Sequence, residues 1–302
     1  MSGRTLIDRA RGAARHYGRQ FARPVMRVAA SNHYLRDAIN RRHLAMSWQS
    51  RSEFHETFAK VFYPDHSGGN GTWLTQFCGN TIRMPLDAET FARDWDLAVS
   101  ITAHDWEVKQ AYEILIRQGE IDLFVDIGAN FGTHSLLFLS CGIRTISFEP
   151  NGECCSHFKA LADLNGLPRE IHNVALGSAE GQATLRFPKG RTWMGSIKLD
   201  PGGNDIVEQK VEVHTLDSYK LGGRMLIKID AEGAELDILA GAADMLKTFK
   251  PKIIFESFDT KERQRFVDFF SNHDYRICSL PLGNSEPFLR SAATNFIAMP
   301  ND

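Results

Sequence analysis

One stretch of the chain, Leu123–His134, constrains the fold more strongly than any other. It starts with an apolar run through Ile127, whose branched and aromatic residues are typical of a strand buried in a parallel sheet. Gly128 and Gly132 then allow a tight turn in which the backbone comes close to another group. An apolar helix is predicted to begin near Thr133. A strand, a glycine-containing loop and a helix in this order predict the first unit of a nucleotide-binding α/β domain.

The chain after this stretch alternates between strand and helix patterns. Buried strands are predicted at 143–148, 171–176, 225–229 and 251–256, helices at 153–164, 231–246 and 261–270, short strands at 183–187 and 207–214, and an antiparallel pair at 275–280 and 295–299. This alternation predicts an α/β fold with a doubly wound, mostly parallel sheet and an antiparallel edge pair. We therefore divide the chain into a nucleotide-binding α/β domain at 106–302 and a basic, mainly helical N-terminal extension at 1–105.

The charge of the chain is unevenly distributed. Residues 1–60 contain twelve Arg or Lys against four Asp or Glu, so this segment carries +8 while the whole chain carries −2. An asymmetry of this kind indicates an arm that contacts an anionic membrane surface or nucleic acid.

The N-terminal extension has helical patterns but no motif. Apolar residues recur at helical spacing within 4–21, Pro24 is expected to interrupt this helix, and a second Arg-rich helix is predicted at 32–46. Three interpretations of the basic segment remain open: packing against the catalytic domain or another subunit, binding to an anionic membrane surface, or a cleaved targeting sequence. Further helices are expected at 87–91 and 105–117, as a cap over the active site or as structural padding.

The cysteines and the hydropathy indicate a reduced, cytoplasmic protein. The five cysteines are scattered without a Cys-x-x-Cys pair, which argues against a zinc site and against a disulfide framework. No apolar run approaches the roughly 20 residues needed to span a bilayer, and no signal peptide is visible. A cytoplasmic location is therefore expected, peripheral to a membrane if the basic arm binds lipid.

Four acidic residues are predicted at the carboxyl ends of strands: Asp126, Glu149, Asp230 and Glu256. Ligands of open α/β sheets bind at that edge of the sheet. Glu149 lies 21 positions after Gly128, where a carboxylate can accept hydrogen bonds from both ribose hydroxyls of an adenosine. Dinucleotide dehydrogenases and S-adenosylmethionine enzymes share this feature, so Glu149 does not separate them.

The loop itself separates these two classes. Asp126 stands ahead of the glycines, and Asn130 lies between them. A carboxylate at this place would repel the pyrophosphate of a dinucleotide, whereas S-adenosylmethionine carries a cationic sulfonium and an ammonium group. The sequence therefore favours S-adenosylmethionine.

A second acidic cluster follows the predicted strand at 225–229. Asp230 is expected to leave the strand at the same edge, with Glu232 and Glu235 in the first turn of the next helix. Asp230 and Glu232 are candidate catalytic residues that act as a general base, orient an acceptor hydroxyl, or hold a divalent metal. His134, just after the loop, is a further catalytic candidate, although a first-turn histidine is more often a surface residue.

Several ordered motifs make the chain from Leu123 to Pro300 resemble an FkbM-family S-adenosylmethionine-dependent methyltransferase. These motifs lie at 125–132, 148–151, 164–167, 173–177, 215–217, 227–235 and 294–296. The resemblance implies a class I Rossmann-like fold and O-methylation, commonly of sugars or secondary metabolites. Residues 1–110 match no motif of the family, and the glycine-rich insertion at 189–204 is where we expect contacts with the acceptor.

The resemblance also implies a set of cofactor-binding residues. Asp126, Gly128, Asn130 and Gly132 are expected to line the methionine part, Glu149 the ribose, and Asn173 or Val174 the adenine edge, with Thr133, Pro150, Asn151 and Asp230 completing the set.

The leading hypothesis is therefore an S-adenosylmethionine-dependent O-methyltransferase that acts on a hydroxyl of a carbohydrate, glycolipid or secondary metabolite. An RNA ribose methyltransferase is the alternative suggested by Lys228, Asp230 and Glu256. The acidic catalytic half would repel a phosphate backbone, so nucleic acid is not the expected partner. A non-catalytic binding or scaffold protein that keeps the fold is a third hypothesis, and a dehydrogenase is the least favoured.

Overall fold

The computed structural model describes residues 3–62, 69–189, 195–198, 205–284 and 286–301. The chain divides into two compact units, Met1–Trp106 and Glu107–Asp302. The N-terminal unit is mainly helical, and the C-terminal unit is an α/β domain. The predicted fold class is confirmed.

In its described residues, the N-terminal unit contains four α-helices, a short 3-10 helix and a two-stranded antiparallel hairpin. Its elements are α1 (Gly3–Ser31), α2 (His33–Leu44), α3 (Trp48–Thr57), a short 3-10 helix (Ala59–Phe62), β1 (Gly71–Phe77), β2 (Asn80–Leu86) and α4 (Phe91–Ser100). Its core is aromatic: the rings of Trp73 and Trp95 lie 5.1 Å apart, as do those of Phe62 and Phe91, and all four side chains are fully buried.

The segment before α4 differs from the prediction of a helix at 87–91. The helix begins only at Phe91 and extends to Ser100. The buried carboxylate of Asp94 accepts hydrogen bonds from the backbone N–H of Asp87, at 3.0 Å, and from the hydroxyl of Thr90, at 2.8 Å. These bonds hold the preceding residues in a turn, because a side chain that reaches back to bond nearby groups competes with helical pairing.

Helix α1 is continuous, so the prediction that Pro24 interrupts it is wrong. Pro24 lies on the exposed face of the helix, where water can hydrate the carbonyl of Gln20 that loses its amide partner. On the opposite side, Met26 and Ala30 are buried and hold the helix in place. Although α1 has 29 residues, no helix in the described part of the chain is both long and apolar enough to cross a membrane.

The C-terminal unit is built around a seven-stranded sheet. In chain order its elements are α5 (Trp106–Arg117, beginning at the unit boundary), β3 (Leu123–Ile127), α6 (Thr133–Ser140), β4 (Arg144–Phe148), α7 (Gly152–Leu164), β5 (Ile171–His172), β6 (Ala175–Leu176), β7 (Gly181–Pro188), β8 (Ile206–His214), β9 (Met225–Ile229), α8 (Glu235–Ala240), α9 (Ala243–Phe249), β10 (Lys252–Glu256), α10 (Arg263–Asn272), β11 (Tyr275–Ser279) and β12 (Asn295–Pro300). The strand order is β11-β12-β10-β9-β3-β4-β5. Strands β5, β4, β3, β9 and β10 are parallel, and β12 pairs antiparallel with β10 and β11. The predicted edge pair is thus confirmed.

The single strand predicted at 171–176 is two strands in different sheets. β5 joins the seven-stranded sheet, whereas β6 pairs with β8 in a separate three-stranded sheet. Between them, the side-chain amide of Asn173 donates to the backbone oxygens of Glu149 and Pro150, at 2.9 Å each. These bonds tie the connection to the end of β4 and separate the two strands.

The helix predicted at 231–246 is likewise two helices, α8 and α9, separated at Gly241 and Ala242. A Cβ atom at Gly241 would overlap the backbone oxygen of Gly177. The close approach of these two backbones interrupts the helix where an apolar pattern alone suggests continuity.

Candidate functional site

The loop between β3 and α6 is held tightly on two sides. Gly128 and Gly132 have φ angles of +73° and +75°. A Cβ atom at Gly128 would overlap the backbone oxygen of Asp230, and one at Gly132 would overlap the ring of Phe158. Both positions therefore need glycine for conformation and for space. The loop lies directly against the residue that follows β9 and against α7.

Asp126 supports this loop from inside the sheet. Its side chain is fully buried, and its Oδ2 accepts hydrogen bonds from the backbone N–H of Ser135, at 3.0 Å, and from the Ser135 hydroxyl, at 2.5 Å. The carboxylate thus lies at the N-terminus of α6, where the helix dipole favours a negative charge. Burial raises the pKa of Asp126, and the nearby Lys228 opposes that shift. Direct contact between Asp126 and a cofactor stays a prediction.

Glu149, directly after β4, joins the loop to the start of α7. Its Oε2 accepts the backbone N–H of Asn130 and its Oε1 that of Asn151, both at 2.8 Å. The side chain is only 7% exposed. Burial raises its pKa to about 7, and Asp126 and Asp230 add to that shift, while the two backbone N–H groups oppose it. Three residues predicted to bind the cofactor, Asn130, Glu149 and Asn151, are therefore in direct contact.

The other predicted cofactor residues surround Glu149 or begin α6. Asn151 caps α7 by accepting the backbone N–H of Glu153 at 2.9 Å, and its buried Nδ2 has no hydrogen-bond partner among the described residues. The amide of Asn173 is bonded to the backbone of Glu149 and Pro150. Val174 is buried, and Thr133 is the half-buried first residue of α6. Predicted residues that precede and follow β4 in the chain are therefore close to one another in the structure. Their contact with an adenosine stays a prediction.

Asp230 is the most exposed of the three carboxylates that end β3, β4 and β9. It is 34% exposed, and its Oδ2 accepts a hydrogen bond from the Nζ of Lys228 at 2.9 Å. Lys228 is buried and lies opposite Asp126 in the register of β3 and β9. The backbone N–H of Asp230 donates to the oxygen of Ile127 at 3.0 Å. Asp230 is therefore fixed at the sheet edge with its carboxylate partly open to a ligand.

Glu232 and Glu235 do not share a helical turn as predicted. Helix α8 begins at Glu235, and Glu232 precedes it with a φ angle of +48°. The buried Glu235 accepts the backbone N–H groups of Ala231, at 2.9 Å, and Gly233, at 3.3 Å, so it closes its own loop. Those bonds bend the chain before the helix and leave Glu232 outside it. Burial raises the pKa of Glu232, with the charges of Asp230 and Glu235 adding to the shift.

His134 is half-buried and belongs to a polar group that the sequence did not reveal. Its Nδ1 lies 2.9 Å from the hydroxyl of Tyr112, and its Nε2 lies 3.4 Å from the Nζ of Lys109. A lysine ammonium only donates, so Nε2 accepts and Nδ1 carries the proton toward Tyr112. Lys109 and Tyr112 are both buried on α5. A lysine three positions before a tyrosine on an apolar helix face is the signal that could have found this group. A catalytic role of His134 stays a prediction.

Two further predictions, a divalent metal at the site and acceptor contacts from the insertion at 189–204, are not tested by the described residues. Among the described residues, the group of three side chains that lies close enough to share a metal ion is His55, Glu56 and His104 of the N-terminal unit. A divalent metal at Asp230 stays a prediction. Most of the insertion at 189–204, expected to contact the acceptor, lies outside the described residues.

Taken together, these carboxylates and Lys228 give the site a negative charge. Asp126 and Asp230 both raise the pKa of Glu149, and Asp230 also raises that of Glu232, which shows that the charges influence one another. Lys228 opposes the rise in the pKa of Asp126 and of Glu232. A cationic ligand would relieve this repulsion, whereas an anionic ligand would increase it.

Two sequence comparisons agree with the motifs of this site. The model of the methyltransferase FkbM domain matches residues 126–277, which include the β3–α6 loop, Glu149 and Asp230. The hexuronic acid methyltransferase AglP of Haloferax volcanii is 22% identical over 184 residues, covering 58% of this chain and 75% of that protein. The resemblance noted from the motifs is confirmed.

Solved structures of methyltransferases are also similar to this chain. The methyltransferase FkbM from Methylobacillus flagellatus KT is 18% identical, with a TM-score of 0.41, and the match covers 69% of this chain and 59% of that chain. A SAM-dependent methyltransferase from Agrobacterium tumefaciens is 10% identical, with a TM-score of 0.41, over 79% of this chain and 72% of that chain. The chain thus spans less than two thirds of the first of these proteins.

Proposed function

The chain belongs to the FkbM methyltransferase family, and on this premise we propose that it transfers a methyl group from S-adenosylmethionine to a hydroxyl group of a carbohydrate. One observation carries the proposal. A buried carboxylate, Glu149, bridges the glycine-containing loop and the start of α7 in a site of net negative charge. The backbone of this loop and the side chain of Glu149 lie next to each other. A nucleoside bound at this edge of the sheet would contact both.

The residues present fit S-adenosylmethionine. Glu149 keeps lone pairs on both oxygens beyond the two backbone bonds, so it can also accept ribose hydroxyls. The buried Nδ2 of Asn151 is a donor without a partner among the described residues. Asp230 offers a partly exposed carboxylate to a positive charge. The cofactor, when bound, supplies an electrophilic methyl group on a sulfonium sulfur.

Asp230 and Glu232 are the groups we assign to the acceptor hydroxyl. A hydroxyl is a weak nucleophile, so transfer is favoured when a carboxylate accepts its proton and orients its oxygen. Lys228 donates to Asp230 at 2.9 Å and thereby fixes the orientation of its carboxylate. Burial and the charges of Asp230 and Glu235 raise the pKa of Glu232, which makes its carboxylate a better proton acceptor.

The similarity to AglP suggests the class of acceptor. That protein is named a hexuronic acid methyltransferase, and 75% of its length is covered by the match. We propose a sugar hydroxyl as the acceptor, with a glycan that contains hexuronic acid as the first substrate to try.

The proposal is tested by incubating the full chain with S-adenosylmethionine labelled in its methyl group and with glycans that contain hexuronic acid. Mass spectrometry should find the label on a sugar oxygen. Asp230→Asn should lower the transfer rate strongly, whereas the matched change Asp244→Asn, at an exposed position on α9, should not. Label found on RNA ribose, or no transfer by a protein that binds the cofactor, would overturn the proposed acceptor.

A further inference from the structure

Helix α1 exposes an apolar stripe that the fold of the N-terminal unit does not use. Tyr17, Phe21, Val25 and Val28 are 61%, 83%, 70% and 63% exposed. Because successive residues of a helix are about 100° apart, these four positions lie within roughly 80° of one another around the axis. We call them the outer stripe.

The opposite face of α1 makes the contacts that hold the helix in its unit. Met26 and Ala30 are buried there. Arg19 donates to the backbone oxygen of Glu56 at 2.7 Å, and Arg23 donates to that of Val61 at 3.0 Å. These contacts lie within the N-terminal unit, so packing of this helix against the catalytic domain or another subunit stays a prediction. The outer stripe needs another explanation, since large apolar side chains in a row are costly to leave in water.

The helix that carries the outer stripe is basic, with seven arginines and one aspartate in its sequence. Arg19 and Arg23 lie on the inner face and do not flank the stripe. The exposed Arg27 lines an open groove together with Val28, Ser31 and Asn32. A guanidinium beside a hydroxyl and an amide suits a phosphate group, and the neighbouring valine suits the acyl chains below it.

We propose that the outer stripe of α1 inserts into the surface of a membrane that contains anionic phospholipids, with Arg27 at the level of the headgroups. An apolar stripe on a basic helix is the pattern of a peripheral membrane helix. A second copy of this chain would bring two basic helices together and so repel. Nucleic acid would attract the arginines but would not require four apolar side chains in a row. This inference does not depend on the proposed enzymatic function.

The test is sedimentation of the full chain with vesicles of phosphatidylcholine and phosphatidylglycerol, and with vesicles of phosphatidylcholine alone. The protein should bind the anionic vesicles preferentially. Phe21→Ser should weaken that binding by about tenfold or more, because one large apolar side chain no longer enters the lipid. The matched control is Phe258→Ser, which removes a phenylalanine that is 66% exposed in the C-terminal unit and should change nothing. Val25→Ser gives a second variant of the stripe, and circular dichroism checks that each variant is folded.

Equal binding of folded Phe21→Ser and Phe258→Ser to anionic vesicles would overturn the proposal. So would the absence of vesicle binding, whether the protein instead retains single-stranded RNA or forms a dimer that Phe21→Ser dissociates in analytical ultracentrifugation. Loss of vesicle binding in both Phe21→Ser and Val25→Ser, with binding unchanged in Phe258→Ser, supports it.

Discussion

Each unit of this protein contains a group of residues that ordinary folding rules disfavour, and the two groups are opposite in kind. The C-terminal unit buries charge, since Asp126 and Lys228 are almost inaccessible and Glu149 is 7% exposed. The N-terminal unit leaves large apolar residues in water, with Phe21 83% exposed. Burying a charge and exposing an apolar side chain both cost free energy, so each indicates a site selected for something besides stability. The buried charges indicate a cationic ligand, and the exposed stripe indicates an apolar surface.

The largest effect is expected from Gly128→Ala, which should abolish methyl transfer. The new Cβ atom would overlap the backbone oxygen of Asp230, so the loop and the end of β9 must move apart. Gly142→Ala is a matched control, because Gly142 has a φ angle of +74° against +73° for Gly128, but its Cβ position has no atom of another described part of the chain within 4 Å. Urea unfolding should show that Gly128→Ala is less stable than Gly142→Ala by roughly 1–3 kcal/mol. An equal loss of stability in the two variants would mean that the close packing of the loop against Asp230 does not contribute to stability.

Asp230→Asn should slow transfer by about 10²–10⁴-fold if its carboxylate accepts the proton of the acceptor hydroxyl. Cofactor affinity should fall by a smaller factor than the transfer rate, because the amide loses the charge that attracts the cofactor but keeps the shape of the side chain. Single-turnover kinetics with saturating cofactor, alongside calorimetric titration, separates the two quantities. A variant with wild-type turnover would show that Asp230 is not the base.

Glu149→Ala should weaken cofactor binding about 30- to 150-fold, since a lost charged acceptor costs roughly 2–3 kcal/mol. Glu153→Ala, at an exposed position in the first turn of α7, serves as the matched control and should bind normally. Both affinities can be measured by calorimetry with S-adenosylhomocysteine, which avoids turnover. The assignment of Glu149 fails if the two variants bind equally well.

The affinity for the cofactor should rise with pH around neutrality. Burial raises the pKa of Glu149 from 4.5 to about 7 in the ligand-free protein, and ribose hydroxyls bond best to the ionised form. Affinity should therefore increase about tenfold from pH 6 to pH 8, and Glu149→Gln should remove that dependence. The same shift means that the folded protein keeps this proton longer than the unfolded chain. Glu149 therefore lowers the stability of the ligand-free protein as pH rises from 4.5 to about 7. A cofactor affinity of the wild-type protein that does not change between pH 6 and pH 8 would contradict the role of Glu149.

The smallest effect is expected from Phe21→Ser in the N-terminal unit. An exposed side chain away from a packed face changes the free energy of unfolding by less than about 0.5 kcal/mol. Thermal unfolding and cofactor affinity should both match the wild-type protein. A strong loss of stability would show instead that the outer stripe is part of the fold, and the contrast between the units would disappear.

The sequence predicted the C-terminal unit well because its strands are short apolar runs that end at acids. Leu123–Ile127 and Met225–Ile229 are strands at the predicted positions, and Asp126, Glu149 and Asp230 influence one another as their places at the sheet edge suggested. Periodicity and spacing are local properties, so they can be read without knowing the tertiary contacts.

The remaining features depend on contacts between distant parts of the chain. The hairpin of β1 and β2 was missed because its strands are recognised by alternate burial against a core that sequence alone does not show. The bonds from Lys109 and Tyr112 to His134 join two helices. The burial of Asp126 beneath α6 depends on Ser135, which the prediction treated only as part of an apolar helix.

Calorimetric titration of the wild-type protein with S-adenosylmethionine, and separately with NAD, tests the central claim most directly. The acidic site around Glu149 predicts micromolar binding of S-adenosylmethionine, which carries a positive charge, and no binding of NAD, whose pyrophosphate would be repelled by the carboxylates of the site. Binding of NAD without binding of S-adenosylmethionine would contradict the account.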